Sequence, residues 1–127
     1  MIDHVTIRVN DYTKSKIFYE RALQPIGYTL LKEYHPGEAH IGGFGENQAD
    51  FWITTDRPGT TSLHIAFGVE SRKLVVSFFD AAIAAGGVDN GKPGVRPLYH
   101  PDYYGAFVLD PDGNNIEVVC RVLGCVP

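Results

Sequence analysis

The hydrophobic and polar positions of this chain mostly alternate in short runs that are typical of strands, interrupted by two longer runs with helical spacing. Residues 2–9 alternate strictly, with Ile7 and Val9 between polar neighbours, which predicts a half-buried strand. Asp11 then predicts the cap of a helix over residues 12–23, which the turn residues 25–27 end. Short strands separated by turn residues are predicted next, over residues 28–34, 39–44 and 50–55.

The second half of the chain has the same order of elements. A strand over residues 62–69 precedes a helix from Ser71 to about Ala85, which two glycines close. Residues 88–101 are rich in glycine and proline, and they predict a short strand and a mobile loop. Strands over residues 103–109 and 115–122 follow, joined by a turn at 110–113.

An internal repeat at an offset of 60 residues explains this order. Residues 3–9 (DHVTIRV) align with residues 63–69 (LHIAFGV), and the helical residues 18–20 (FYE) align with 78–80 (FFD). The repeat predicts an α+β fold of two pseudo-symmetric βαβββ modules. We expect module one over residues 1–57, a linker at 56–61 and module two over 61–127, within a single domain of 127 residues.

The repeat also brings possible metal ligands to equivalent positions. His4 and His64 occupy the same place in the two copies, on the strand faces that the bulky apolar residues leave free. In the last strand, Glu117 also points away from the apolar layer. Two imidazoles and one carboxylate on three strands are the donors of an open metal site, although a lone histidine in a strand is more often a packed or exposed residue than a ligand.

Several of these segments together resemble the glyoxalase/bleomycin resistance/dioxygenase group, also called the vicinal oxygen chelate (VOC) superfamily. The most specific of them is residues 107–117 (FVLDPDGNNIE); the others are residues 3–4 (DH), 18–23 (FYERAL), 25–27 (PIG) and His64. The resemblance implies a curled mixed sheet that forms a cup, with the helices outside it. It further implies a divalent metal (Zn, Ni, Mn or Fe(II)) held by His4, His64 and Glu117, and a homodimer.

One departure from the family pattern limits the reaction that the resemblance implies. At an offset of 65 residues, Trp52 is the counterpart of Glu117 and stands where isomerases of the glyoxalase I type carry a fourth ligand that also acts as a base. An indole can neither bind a metal nor accept a proton at neutral pH. Methylglyoxal isomerisation is therefore not expected. Ring-cleaving dioxygenases share the triad, but their assisting tyrosine corresponds to Phe107 here.

Other polar and aromatic residues are candidates for substrate contacts. Glu117, His100 and Tyr104 are predicted catalytic groups, with His100 and the tyrosines on a segment that gates the cup. The predicted substrate-binding residues are Arg8, Trp52, Tyr103 and Arg121. Simpler explanations exist for each of them: surface ion pairs for the arginines, core packing for Trp52, and an ordinary surface loop for the residues of the gating segment.

Composition and charge exclude several classes of partner. The formal charge of −4 and the scattered basic residues argue against a nucleic-acid surface. No apolar stretch is long enough to predict a membrane span, and no signal peptide is expected because residues 2–9 already predict a strand. Cys120 and Cys125, near the C-terminus, are interpreted as free thiols of a reducing compartment. A cytoplasmic location is the resulting expectation, with a small molecule as the partner.

Two functions of different classes fit these observations. The first is a metal-dependent enzyme, a lyase, an isomerase or a dioxygenase, whose metal binds two oxygens of a small substrate. The second is a metal-free protein that binds an aromatic or drug-like molecule in the same cup, with Trp52 as its platform. A metal requirement with saturable turnover distinguishes the first function. Tight binding that a chelator leaves unchanged distinguishes the second.

Overall fold

A computed structural model describes residues 2–56 and 63–121 of the chain. The first module contains one helix, α1 (Tyr12–Leu23), followed by a short 3₁₀ turn (Gln24–Ile26). Its strands are β1 (Val5–Arg8), β2 (Thr29–Tyr34), β3 (Ile41–Gly45) and β4 (Ala49–Thr54). The second module contains α2 (Arg72–Ala84) and the strands β5 (His64–Gly68), β6 (Val88–Val95), β7 (Tyr104–Leu109) and β8 (Asn115–Cys120). The linker predicted at 56–61 falls almost entirely outside the described residues.

The strands form two four-stranded mixed sheets with the same internal arrangement. The strand orders are β1-β4-β3-β2 and β5-β8-β7-β6, with one parallel pair in each sheet, β1 with β4 and β5 with β8. This arrangement confirms the predicted α+β fold of two βαβββ modules. The sheets remain two separate hydrogen-bonded units within the described part of the chain, so the cup is open along the edges formed by β1 and β5.

Side-chain hydrogen bonds start both helices at the residues that the sequence predicts. The Asp11 carboxylate accepts from the backbone nitrogen of Lys14 at 3.1 Å, and the Ser71 hydroxyl accepts from that of Leu74 at 3.2 Å. Both helices pack on the same side of the sheets. The buried apolar side chains of the two modules form one cluster, including Ile7, Phe18, Phe51, Phe78, Val108 and Ile116. The opposite faces of the sheets are here called the cup faces.

A network of buried hydrogen bonds joins the turn between β7 and β8 to the first module. The Tyr19 hydroxyl on α1 donates to the Asp110 carboxylate, and both side chains are buried. The same carboxylate accepts from the backbone nitrogens of Asp112 and Asn114, at 2.9 and 2.8 Å. Burial, reinforced by the charge of Asp110, raises the pKa of Tyr19 well above its usual range. We call this set of bonds the inter-module latch.

The helices and the cysteines bear on what the sequence predicts about the chain's environment. Neither α1 nor α2 has the length and apolar character that a membrane crossing requires. Cys120 is fully buried and forms a disulfide bond, which corrects the free thiol expected there. Cys125 lies outside the described residues. The cytoplasmic location rested partly on free thiols, and it stays a prediction.

Candidate active site

A buried carboxylate with two hydrogen-bond donors lies at the centre of the second cup face. Glu117, on β8, is only 1% exposed. One of its oxygens is 2.7 Å from Nε2 of His64, on the neighbouring strand β5, and the other accepts from the Tyr103 hydroxyl. The parallel pairing of β5 with β8 places Ala66 opposite Glu117, so the imidazole reaches the carboxylate from two residues away along the strand. The sequence analysis predicted Glu117 and His64 together, and the structure brings them into contact.

Tyr103 is held in its neutral form by this environment. Burial, and then the hydrogen bond to Glu117, raise the pKa of Tyr103 to about 12. A neutral phenol can donate to the carboxylate throughout the physiological pH range. Tyr103, which the sequence analysis predicted as a substrate contact, therefore serves as a hydrogen-bond partner of Glu117.

This assignment predicts an effect of alkaline pH. Because the pKa of Tyr103 is raised on folding, the folded state retains a proton that the unfolded state has already lost, so stability falls as pH rises from about 10 to about 12. Ultraviolet absorbance of tyrosinate should show a late-ionising phenol that is missing from Tyr103→Phe. A Tyr103→Phe titration identical to wild type would contradict the assignment. Tyr28, whose pKa burial and Asp50 also raise to about 12, remains as an internal reference in both proteins.

The third predicted ligand lies on the other module. His4, just before β1, is exposed, and its Nδ1 lies 2.8 Å from the Asp3 carboxylate. This contact suits an Nδ1–H tautomer, which leaves Nε2 as the free acceptor. His4 and His64 line a common cleft of about 510 Å³ between the edges of the two sheets, together with Tyr28, Phe51 and Phe67. Within residues 2–56 and 63–121, however, no three His, Cys, Asp or Glu side chains converge closely enough to hold a metal ion.

Trp52 lies on the cup face of the first module. Its ring is stacked on Tyr34 of β2 at a centroid distance of 6.1 Å and an angle of 14°. Both rings line a second hollow of about 490 Å³, which His4 also borders. Arg8, predicted to contact substrate, is paired at 3.7 Å with Asp56 on the rim of the same hollow. Trp52 therefore faces a cavity and is not part of the core.

The close contact between Trp52 and the facing glycine allows a direct test of this position. A Cβ atom added at Gly43 would lie 2.6 Å from the Trp52 ring, so Gly43→Ala should displace the indole and break its stack on Tyr34. Trp52 is the only tryptophan of the chain, and its emission maximum and near-ultraviolet circular dichroism should both change. Gly42→Ala is the matched control, since its Cβ would meet Tyr12 instead. Equal spectral changes in the two variants would contradict the assignment.

The remaining predicted site residues are Arg121, Tyr104 and His100. Arg121 lies with its guanidinium carbon 5.9 Å from the Tyr103 ring, next to the Glu117 cluster. Tyr104 lies on the helix side of the sheet, under the guanidinium of Arg72 at 4.8 Å, and so its predicted catalytic role does not fit its position. His100 is exposed in the segment between β6 and β7, where its Nδ1 accepts from the Asp102 nitrogen at 3.0 Å.

Two residues near Glu117 were not singled out for site roles by the sequence analysis. The Phe107 ring lies 6.2 Å from the His64 ring, and the guanidinium of Arg96 lies 5.5 Å from the centre of Phe107. Phe107 entered the sequence analysis only as the counterpart of a dioxygenase tyrosine. Strand alternation could have identified Phe107 as a site residue, because it is paired directly with Glu117 and shares its face.

Comparison with known proteins agrees with this fold. A family model described as the Glyoxalase/Bleomycin resistance protein/Dioxygenase superfamily matches residues 1–118. The chain is 34% identical to a probable lactoylglutathione lyase of Vibrio cholerae, over 91% of this chain and 87% of that protein. It is 35% identical to another of the same name from Synechocystis, over 91% and 92%.

Solved structures agree with the sequence comparison. A glyoxalase/bleomycin resistance protein from Albidiferax ferrireducens superposes with a TM-score of 0.77 at 30% identity, over 94% of this chain and 98% of that one. Glyoxalase I from Zea mays superposes with a TM-score of 0.73 at 26% identity, over 94% of this chain and 45% of the maize chain. From the match over residues 1–118 and these neighbours, the chain belongs to the Glyoxalase/Bleomycin resistance protein/Dioxygenase superfamily.

Proposed function

We propose that this protein is a divalent-metal-dependent enzyme that acts on a small substrate offering two oxygens to the metal. The contact between His64 and Glu117 is the observation that carries the proposal. A carboxylate that is 1% exposed is costly to bury, and it is retained here beside an imidazole whose side chain is 54% exposed. Buried charge at the edge of an open cleft is typical of a functional site.

The types of the proposed ligands fit a divalent metal, but only two of the three lie together within one chain. Imidazole nitrogen and carboxylate oxygen suit Zn, Ni, Mn and Fe(II) alike. His64 and Glu117 supply two neighbouring donors, and His4, oriented by Asp3, is the proposed third. When bound, the metal supplies Lewis acidity that stabilises negative charge on substrate oxygens. Zn, Ni, Mn and Fe(II) are all to be tested.

The protein's own groups have separate proposed roles. Tyr103 and His64 are within hydrogen-bonding distance of Glu117, so a proton can be held at either carboxylate oxygen. Phe107 excludes water from one side of His64, and Trp52 provides an apolar platform on the opposite module. His100 stays a proposed gating residue, since its ring is exposed beside the segment that carries Tyr103.

Lactoylglutathione lyase activity is a second candidate, favoured by the names of the two curated relatives. Trp52 argues against it, because an indole cannot take the place of a fourth ligand that is also a base. Wild-type protein supplied with methylglyoxal, glutathione and each metal in turn is expected to form no S-lactoylglutathione. Metal-dependent formation of that product would replace the present proposal with this candidate.

A metal-free binding protein is the alternative of a different class, and the hollow beneath Trp52 favours it. A chelator distinguishes it from the enzyme. Saturable turnover of a screened substrate that is lost with chelator and restored with metal supports the enzyme. Ligand binding that quenches Trp52 fluorescence and is unchanged by chelator, with no metal-dependent turnover, supports the binding protein.

We also propose a homodimer, which raises the question of which chain supplies His4. Mixing His4→Ala with Glu117→Ala protein answers it. If each site takes His4 from the partner, a mixed dimer contains one intact site and metal binding returns. If each site lies within one chain, every site in the mixture lacks a ligand and no binding returns. A monomer in light scattering contradicts the dimer.

A further inference from the structure

The guanidinium of Arg96 is fixed close to the Glu117 cluster by its surroundings. Arg96 follows β6, and its backbone nitrogen donates to the Tyr103 carbonyl at 2.7 Å. Its Nη2 donates to the Lys92 carbonyl at 2.7 Å, while its guanidinium carbon lies 5.5 Å from the centre of the Phe107 ring. One aromatic ring therefore separates this charge from His64.

Two glycines make room for the guanidinium. A Cβ atom at Gly91 would lie 3.3 Å from Nη2 of Arg96, and one at Gly94 would lie 3.0 Å from Nη1. The group thus lies between a glycine-lined backbone and an aromatic face. A cation that lies over a ring, with one nitrogen anchored to a carbonyl, has lost much of its freedom to rotate, so it is oriented before any ligand arrives.

The charge of Arg96 has no acidic partner in the described part of the chain. None of the ion pairs found within residues 2–56 and 63–121 includes Arg96. The nearby Lys92 is paired with Asp89, and the Glu117 carboxylate is bonded to His64 and Tyr103. Arg121 adds a second guanidinium over the Tyr103 ring. This side of the cluster therefore has two guanidinium groups that no carboxylate neutralises there.

We infer that Arg96 is a specificity-determining residue that binds an oxyanion of the substrate, a carboxylate or a phosphonate, beside an apolar group packed on Phe107. The inference rests on the proposed function, because the reacting end of the substrate is assigned to His64 and Glu117. A planar guanidinium with free N–H groups binds two oxygens of a carboxylate or a phosphonate through two parallel hydrogen bonds, which a lysine cannot do. The substrate class is thus narrowed to small acids with an apolar portion.

Benzoate and benzamide test this inference on metal-free protein, since they share a shape and differ in charge. Calorimetry or ligand-observed NMR should detect benzoate binding in the millimolar range, with benzamide about tenfold weaker or more. Arg96→Gln should lose about tenfold in benzoate affinity and leave benzamide unchanged. Arg96→Lys should recover only part of the loss. Lys92→Gln removes the same charge nearby without touching Phe107, and it should bind benzoate as wild type does.

Three results would overturn the inference: no benzoate binding to wild type, equal affinity for benzoate and benzamide, or equal losses in Arg96→Gln and Lys92→Gln. Thermal melting verifies that each variant is folded. Metal content keeps the two proposals distinct. Arg96-dependent benzoate binding in a protein that takes up no metal contradicts only the proposed function. Normal metal uptake with Arg96-independent benzoate binding contradicts only the present inference.

Discussion

Replacing His64 with alanine is expected to lower the affinity for divalent metal by about 100-fold or more, because even the outer partners of metal ligands are worth 10- to 100-fold. Wild-type protein purified without chelator or affinity tag should contain near-stoichiometric metal by mass spectrometry, and His64→Ala should contain little. Glu117→Gln should have a similar effect. The amide keeps the size of the carboxylate but removes the charge that the ion requires.

His35→Ala is the matched control for the loss of an imidazole. His35 is exposed on the hairpin between β2 and β3, where its ring is stacked on His40 at 3.9 Å. The variant removes a histidine from the surface and should leave the metal content unchanged. Metal that survives in both His64→Ala and Glu117→Gln would locate the binding elsewhere. A complete lack of metal in wild type, even after reconstitution with Fe(II), Mn, Ni and Zn, would refute the enzyme proposal.

Alternation and turn residues were sufficient to predict most of the fold. In β1, the buried Ile7 and the exposed Arg8 follow the predicted faces, and Asp11 caps α1 as expected. The repeat related the two modules before any contact was known. The same alternation placed Glu117 and His64 on one face, and this is the part of the candidate site that the structure brings together.

The remaining features depend on geometry that local patterns do not contain. β6 spans eight residues although it includes Pro93 and two glycines, and its pairing with β7 has irregular register. That irregularity accommodates Arg96, which periodicity could not locate. Tyr103 and Tyr104 are adjacent and chemically alike, so only the register of β7 decides that Tyr103 reaches Glu117. The separation of His4 from Glu117 depends on how two modules lie against each other, which no single strand encodes.

The inter-module latch is expected to make Asp110 one of the most sensitive positions for stability. Asp110→Ala leaves the Tyr19 hydroxyl, two backbone N–H groups and the Asn114 amide without their acceptor in a buried region. Since each orphaned buried donor costs about 1–3 kcal/mol and partial relaxation offsets some of that, the free energy of unfolding should fall by about 3 kcal/mol. In thermal denaturation this corresponds to a drop of about 10 °C in Tm.

Tyr19→Phe separates the bond between the modules from the bonds within the turn. This variant removes only the hydroxyl, and Asp110 keeps its three other donors, so the expected loss is about 1 kcal/mol. In the double variant, the loss should be smaller than the sum of the two single losses, because both changes remove the same hydrogen bond.

Asp89→Ala is the control variant. It removes a carboxylate that is exposed and paired with Lys92, and it should hardly change Tm. Additive losses, or a Tm for Asp110→Ala close to that of Asp89→Ala, would show that the bond between Tyr19 and Asp110 does not help to join the modules. The latch would then be a local feature of the turn, and the apolar core shared by the two modules would hold them together.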